Sequence, residues 1–153
     1  MEETASMTNK KPTENTLLAV SLFEAWSAVE RILNGNLGMI RGITYSEYRL
    51  LSAIAAGPEA GSSRADLART VGLSPSAVTR ALRPLSDLGM VETIKHQRDA
   101  RLALAHLTAQ GEELVADAAA VVQDAMAEIV ERTPGVNDKR SDFLSLLGEL
   151  ASL

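Results

Sequence analysis

Apolar residues recur at helical spacing near the start of the chain. Over about five turns they occupy positions 18, 22, 26, 29, 33 and 37, which predicts a helix over 17–37. Gly35 and Gly38 are expected to fray its end because glycine is a poor helix former. Residues 1–15 are polar and mixed in charge and lack the apolar core of a signal peptide. We expect them to form a flexible N-terminal tail.

The end of the chain carries two further stretches with a helical pattern. Thr108 is expected to cap an alanine-rich helix that runs to Arg132 and is broken at Pro134 and Gly135. Asp138 is expected to cap a last helix, whose apolar residues are Phe143, Leu144, Leu146, Leu147 and Leu150. A single small domain does not need this much apolar helix surface to form its core. We therefore predict that both chain ends pack together, within one chain and across a two-fold axis, with a monomeric bundle as the alternative.

The middle of the chain contains shorter elements with clear caps. Thr44 and Glu47 have the spacing of a capping box and open a helix. A loop over 59–62 leads to a second short helix, which Ser63 caps and Gly72 ends.

The next helix and the two strands that follow it complete a recognisable order of elements. Serine at 74 is a good N-cap, and Pro75 at the first helical position loses no hydrogen bond. This helix is expected to close at Gly89, before two strands over 90–95 and 101–107 around a polar turn. Helix, glycine turn, helix and hairpin follow one another as in a winged helix-turn-helix.

The predicted fold class is mainly α with a small β-hairpin wing, an α+β arrangement. Residues 44–107 are predicted to form a winged helix-turn-helix DNA-binding domain, and 16–43 with 108–153 a helical dimerisation region. A length of 153 residues suits one such domain with an oligomerisation extension. Since 46% of the residues are hydrophobic but only 3% are aromatic, the core must consist mainly of Leu, Ala, Val and Ile.

Charge separates the middle of the chain from its ends. Residues 62–106 contain seven basic and four acidic residues, a net charge of +3. The whole chain carries −5, so the remainder carries −8. A basic segment in an acidic protein is typical of a surface that meets nucleic-acid phosphate.

The helix that begins after Ser74 has two distinct faces. At about 100° per residue, the apolar residues gather on one side: Val78, Ala81, Leu82, Leu85 and Leu88. The opposite side contains small hydroxyls and basic residues: Ser76, Thr79, Arg80 and Arg83. Arginine can donate two hydrogen bonds to guanine in the major groove, and hydroxyls can contact bases or phosphates. The alternative for this face is an ordinary solvated helix surface.

The tip of the predicted hairpin is the second candidate for DNA contact. It contains two arginines, Arg98 and Arg101, with Asp99 between them. The carboxylate can brace one guanidinium and leave the other available for the narrow minor groove of A·T-rich DNA. The alternative is a turn that only adds solubility.

Several function classes are disfavoured by what the sequence lacks. Without cysteine there is no disulfide, thiolate metal site or thiol redox switch, which is compatible with the cytoplasm, where we expect the protein. The run of about 18 apolar residues that a membrane span needs does not occur. No catalytic arrangement or cofactor motif can be assembled, and His96 and His106 make a poor metal site. A winged helix that binds protein rather than DNA remains an alternative, because the net charge is negative.

Three motifs together resemble the MarR family of bacterial transcription regulators. They are SSRADLARTVGLSPSAVTRALRPLSDLGMV over 62–91, RDAR at 98–101 and LTAQG at 107–111. The similarity is strongest over 44–112, and the order of helices extends it to nearly all of the chain after Asn15. The resemblance implies a homodimer with one winged helix-turn-helix per subunit, binding double-stranded DNA at a pseudo-palindromic operator, usually as a repressor.

The resemblance also implies residue roles. Five residues fall where the recognition helix of the family contacts DNA: Ser74, Ser76, Thr79, Arg80 and Arg83. Asp99 and Arg101 match the D-x-R motif of the wing, so Arg101 is the expected minor-groove residue and Asp99 its brace. Arg98 is expected to contact a phosphate.

A small-molecule effector is a further expectation from the resemblance. Many members of the family release DNA when a small aromatic or phenolic anion binds between the dimerisation helices and the DNA-binding lobe. Five residues are candidates for such a cavity: Trp26, Arg41, Tyr45, Tyr48 and Arg49. Alternatively, the three aromatic residues belong simply to the core. The absence of cysteine excludes the thiol-based, peroxide-sensing members of the family as a parallel.

Overall fold

The computed structural model describes residues 12–95 and 103–152, which form seven helices and one antiparallel sheet. The helices are α1 (Glu14–Arg41), α2 (Tyr45–Ala55), α3 (Arg64–Val71), α4 (Pro75–Asp87), α5 (Ala109–Glu131), α6 (Pro134–Asp138) and α7 (Arg140–Ala151). The strands are β1 (Ser62–Ser63), β2 (Val91–Lys95) and β3 (Ala103–Leu107), in the order β1-β3-β2. This mainly helical architecture with a small sheet confirms the predicted fold class.

The first helix begins earlier than its apolar pattern indicates. α1 starts at Glu14, inside the segment expected to be a tail. The Thr13 hydroxyl oxygen accepts the backbone N–H of Thr16 at 3.3 Å, so a side-chain cap sets this end. The prediction of a tail over 1–15 is therefore wrong for its last two residues, and residues 1–11 lie outside the described part of the chain.

The prediction that Gly35 and Gly38 fray the first helix is also wrong, since α1 continues through both. Each glycine costs a helix interior about 1 kcal/mol relative to alanine. Leu33 and Leu37 are 2% and 0% exposed, and burying each of them stabilises the helix by about 1.5–3 kcal/mol. The helix ends at Gly42, whose φ of +69° is the left-handed conformation that glycine adopts freely.

The predicted caps of the second and fifth helices are confirmed. At α2, the Glu47 N–H donates to Thr44 Oγ1 at 3.2 Å, and the Thr44 N–H donates to Glu47 Oε2 at 2.7 Å. This reciprocal pair is a capping box. At α5, the Thr108 hydroxyl oxygen accepts the N–H of Gly111 at 3.1 Å.

The sheet contains a strand that the sequence does not predict. β1 consists of two residues, Ser62 and Ser63, which pair with Ala105 and Leu104 of β3. The first of them falls in the expected loop over 59–62. A two-residue strand is too short to show an alternating pattern, so only the tertiary structure defines it. Its pairing joins the hairpin to the start of α3.

One hydrophobic cluster holds the helices and the sheet together. It consists of residues from α1 to α5 and from the sheet: Leu37, Ile43, Leu50, Leu51, Ile54, Leu67, Ala68, Val71, Val78, Leu82, Leu85, Val91, Ala105, Leu114 and Ala118. All are aliphatic, as the composition predicts, and they place α4 and the hairpin on a common support.

The end of the chain differs from the prediction. The expected cap, Asp138, is instead the last residue of the short helix α6, and Lys139 precedes α7 without a side-chain cap. Pro134 at the start of α6 supplies a fixed φ that begins this extra helical turn. No residue of α7 is buried.

Candidate nucleic-acid interface

Helix α4 is fixed at both ends by local backbone geometry. Gly72 ends α3 with a φ of +72°, so the chain reverses within a short turn. The Ser74 hydroxyl oxygen then accepts the N–H of Ala77 at 3.2 Å, and Pro75 occupies the first helical position. These features confirm the predicted helix-turn-helix and hold α4 at a defined angle to α3.

The two faces of α4 are placed as the helical pattern predicts, with one exception. Val78, Leu82 and Leu85 are buried in the core. The predicted recognition residues on the other face are all exposed: Ser74, Ser76, Thr79, Arg80 and Arg83. Leu88, which was expected on the docked side, is instead 64% exposed. It caps the helix just before Gly89 turns the chain at a φ of +72°, so its side chain leaves the buried face.

The hydroxyl groups on this face form some of their hydrogen bonds within the helix itself. Thr79 Oγ1 donates to the carbonyl oxygen of Pro75 at 2.9 Å, and the Ser74 and Ser76 hydroxyls lie 3.0 Å apart. Thr79 therefore keeps its methyl group and an acceptor lone pair for a partner, while its proton is used internally. A thymine methyl or a base amino group suits these atoms. The sequence cannot show this assignment because it depends on the rotamer.

The two arginines of α4 extend into solvent. Neither Arg80 nor Arg83 forms an ion pair with any residue of the described segments. No carboxylate of these segments therefore occupies the guanidinium donors of Arg80 and Arg83. This arrangement is what a base or phosphate contact requires.

The wing is described up to the base of its tip. β2 and β3 pair in antiparallel register from Val91 with Leu107 to Lys95 with Ala103. The predicted tip contacts, Arg98, Asp99 and Arg101, lie outside the described residues. Their roles stay predictions.

A cleft beside α4 contains an arginine that the pattern analysis does not single out. This cleft, between α3, α4 and β2, has a volume of about 270 Å³ and is lined by Arg64, Thr79, Leu82, Arg83, Ser86, Asp87 and Thr93. Arg64 is the first residue of α3, a position that suggests nothing more than a helix start. The one sequence signal that could have identified Arg64 as a candidate is that it belongs to the basic segment over 62–106.

Asp66 shows how the acidic residues of this segment are used. Its carboxylate accepts a hydrogen bond from the Ser63 hydroxyl at 2.6 Å and pairs with Arg69. The Ser63 hydroxyl, and after it the Arg69 guanidinium, lower the pKa of this carboxyl below its ordinary value. Asp66 therefore stabilises the start of α3.

The aromatic effector candidates form one row. The Trp26 ring of α1 lies 5.6 Å from that of Tyr45, which lies 6.0 Å from that of Tyr48. The Tyr45 N–H donates to Asn34 Oδ1 at 2.7 Å and so ties α2 to α1. Both tyrosines are partly buried against the core, whereas Trp26 is 44% exposed. The row thus joins the first helix to the start of the winged domain.

The two basic effector candidates differ in their surroundings. Arg41 forms an ion pair with Asp117 of α5, which ties the end of α1 to α5. Arg49 is exposed on α2, directly after Tyr48. Of the two, Arg49 is the one without an ion-pair partner in the described structure.

Apolar residues at both chain ends face a shared groove. The groove has a volume of about 550 Å³ and is lined mainly by residues of α1 and α7: Leu18, Leu22, Phe143, Leu146, Leu147, Glu149 and Leu150. Its apolar residues are between 38% and 58% exposed. A water-exposed apolar surface of this kind marks an interaction site.

Two other kinds of site are absent from residues 12–95 and 103–152. No helix there combines the length and apolar character that crossing a membrane requires. Nor do three or more His, Asp or Glu side chains come together there as a metal ion would need.

Comparison with known proteins gives consistent results. A sequence model of the MarR family matches residues 41–102. The HTH-type transcriptional repressor Rv2887 of Mycobacterium tuberculosis is 33% identical over 111 residues, which cover 72% of this chain and 77% of that repressor.

Solved structures extend the similarity to the chain ends. Sco3205, a MarR family transcriptional regulator from Streptomyces coelicolor in complex with DNA, superposes with a TM-score of 0.75 at 25% identity, covering 90% of this chain and 89% of that one. CouR from Rhodococcus jostii, bound to p-coumaroyl-CoA, superposes with a TM-score of 0.70 at 27% identity, covering 84% and 90%.

Proposed function

This chain belongs to the MarR family of transcription regulators, and we propose that it recognises a pseudo-palindromic DNA operator as a homodimer and represses transcription from it. The observation that carries this proposal is the exposed face of α4. It presents two arginines without ion-pair partners in the described structure, Arg80 and Arg83, on a helix whose other face is anchored in the core. A regulator that binds chromosomal DNA in this way is expected in the cytoplasm, which agrees with a chain without cysteine.

The major groove is the expected place for α4. Its width admits a helix, and arginine can donate two hydrogen bonds to guanine there. The amino-terminal end of the recognition helix contacts base edges in such complexes, and Ser76, Thr79 and Arg80 lie in the first two turns. Arg83 lies one turn further on. The wing residues Arg98 and Arg101 are expected to contact phosphate and the adjacent minor groove.

The homodimer explains the apolar groove at the chain ends. Leu18 and Leu22 of α1 and Phe143 and Leu147 of α7 are each at least 38% exposed in the single subunit. Burying such side chains contributes about 25 cal/mol per Å² of apolar surface, and a second copy offers the same surface under two-fold symmetry. Two recognition helices then face half-sites about one helical turn apart.

The aromatic row is the proposed effector site. Trp26 belongs to the dimerisation region, whereas Tyr45 and Tyr48 begin the winged domain. A flat ring that stacks here contacts both regions and can change the separation of the two recognition helices. The exposed Arg49 directly follows Tyr48 in α2, and its positive charge suits an anionic aromatic ligand. Arg41 is assigned to the ion pair with Asp117 instead.

The test of the proposed function is selection from a random duplex pool with the purified protein. Selected duplexes are then measured at two salt concentrations. We expect enrichment of an inverted repeat and a steep loss of affinity with salt. A best site with a single, unrepeated element would contradict the dimer, and no enrichment at either salt concentration would favour a winged helix that binds protein.

A further inference from the structure

The cleft between α3, α4 and β2 holds a cationic group that the described residues leave unsatisfied. Arg64 is partly buried, and its Nε is shielded from solvent but forms no hydrogen bond with them. A buried N–H of a charged group is unfavourable without an acceptor. Arg64 also lines the cleft, so an anionic acceptor that enters the cleft would balance the charge of its guanidinium.

Like Arg49, Arg80 and Arg83, Arg64 forms no ion pair in the described structure, but unlike them it is partly buried. Three other arginines pair with a carboxylate: Arg41, Arg69 and Arg132. The acid nearest to Arg64 in sequence is Asp66, but its oxygens already accept hydrogen bonds from Ser63 and Arg69. The described residues around Arg64 thus leave its charge unpaired.

The rest of the cleft suits an oxyanion. Arg83 adds a second guanidinium, and Ser86 and Thr93 add hydroxyls that can donate. The carboxylate in the lining, Asp87, pairs with neither arginine in the described structure. The cleft therefore carries a net positive charge, and about 270 Å³ leaves room for a phosphate group.

We propose that this cleft is an oxyanion site in which Arg64, together with Arg83, binds one phosphate of the DNA backbone beside the recognition helix. This inference rests on the proposed function and deepens it. Thr79 and Arg83 line the cleft and also belong to the exposed face of α4, so the cleft opens beside that face. A helix in the major groove is flanked by backbone phosphates, and half or more of protein–DNA hydrogen bonds go to phosphate and sugar.

The proposal predicts a contribution that does not depend on base sequence. Arg64→Gln is expected to weaken binding by about ten-fold, equally on the selected operator and on a scrambled duplex. It is also expected to make the negative slope of log affinity against log salt less steep, by about 0.9 per subunit. Arg64→Lys, which keeps the charge, is expected to preserve the slope.

The matched control is Arg132→Gln, the same change of charge at the far end of α5. It is expected to leave both the affinity and the slope unchanged. Thermal unfolding of all three variants shows whether each is folded. A normal slope in folded Arg64→Gln overturns the proposal, as does a loss confined to the operator.

A chemical scan of the DNA identifies the phosphate. Methylphosphonate replaces one charged phosphate at a time in the operator, and each duplex is measured with wild type and with Arg64→Gln. At the contacted phosphate the two losses are expected to be less than additive. Full additivity at every position overturns the proposal.

A DNA-free measurement separates failure of this site from failure of the proposed function. If no operator is selected, the proposed function fails, and the cleft is tested with inorganic phosphate alone. A melting temperature that rises with phosphate in wild type but not in Arg64→Gln identifies a site for free oxyanions. Equal rises in both proteins overturn the oxyanion site itself.

Discussion

The winged domain and the two chain ends are built from the same aliphatic residues but meet different surroundings. Leu51 and Leu67 of the winged domain are 0% and 2% exposed, whereas Leu18 and Leu146 at the ends are both 58% exposed. One subunit therefore completes the packing of the winged domain. The ends have apolar faces that this subunit does not cover, and we propose that a second copy covers them.

The difference separates two tasks. The winged domain carries the basic segment and must hold α4 in a fixed position, which a packed core provides. The ends are acidic and, under the proposed function, set the distance between two such domains. Substitutions in the first region should thus change stability, and substitutions in the second should change assembly.

The largest effect is expected from opening a cavity in the winged domain. Leu51→Ala removes a fully buried side chain of α2 and should lower the free energy of unfolding by about 2–5 kcal/mol. Urea unfolding at a fixed protein concentration measures it. Leu88→Ala is the control, because a leucine that is 64% exposed should cost no more than about 0.5 kcal/mol. Equal losses in the two variants would remove the contrast between buried and exposed leucines.

The next effect concerns assembly. Phe143→Asp places a charge in the apolar groove of α7, and desolvating that charge in an interface is costly. We expect a monomer by analytical ultracentrifugation and a loss of operator affinity of more than about ten-fold, because one subunit then reads one half-site. The far-ultraviolet circular dichroism of the variant should stay close to that of wild type, which shows that it is folded.

Ser145→Asp is the matched control for this substitution. It adds the same charge to an exposed position of α7 outside the groove lining and should remain dimeric. If wild type is monomeric, or if the Phe143→Asp variant dimerises normally, the apolar groove is not the dimer interface and must bind another partner.

Most of the winged domain was predictable because its signals are local. Each of Thr44, Ser63 and Ser74 is a hydroxyl residue at a helix start, and all three act as N-caps in the structure. Thr108 does the same for α5, directly after the winged domain. Caps and glycine turns depend on a few neighbouring residues, so a single sequence contains the information.

The features that were missed depend on distant contacts. α1 continues through Gly35 and Gly38 because burial of neighbouring leucines outweighs glycine propensity, and β1 exists only through its pairing with β3. Arg64 stands out only when α3, α4 and β2 are together. A single sequence does not show which distant residues come into contact. The pattern of apolar and polar residues therefore predicts the two faces of α4 but not the cleft beside it.

A smaller effect is expected on base recognition. Arg80→Ala truncates an exposed arginine of α4 and should cost about 1–3 kcal/mol of operator binding for a guanine contact. Repeating the duplex selection with the variant should show relaxed preference at one position in each half-site. A uniform loss on every sequence would instead assign Arg80 to a phosphate. Stability should match wild type, in contrast to Leu51→Ala.

The smallest effect is a pH dependence at the start of α3. The pKa of Asp66 is lowered, first by the Ser63 hydroxyl and then by Arg69, so the folded state favours the ionised form more than the unfolded state does. The resulting stabilisation is present above the pKa of the unfolded chain, near pH 4, and is lost as the pH falls through the lower folded value.

Asp66→Asn tests this sign because its amide cannot ionise. The difference in unfolding free energy between wild type and the variant should favour wild type at pH 7 and shrink as the pH falls below about 4. The difference should be small because both partners of the Asp66–Arg69 pair are exposed to solvent. Asp124→Asn on α5 is the control for replacing one carboxyl by an amide and is measured over the same pH range. A difference that grows as the pH falls would mean that Asp66 is less ionised in the folded state, and the cap of α3 would then need a neutral carboxyl.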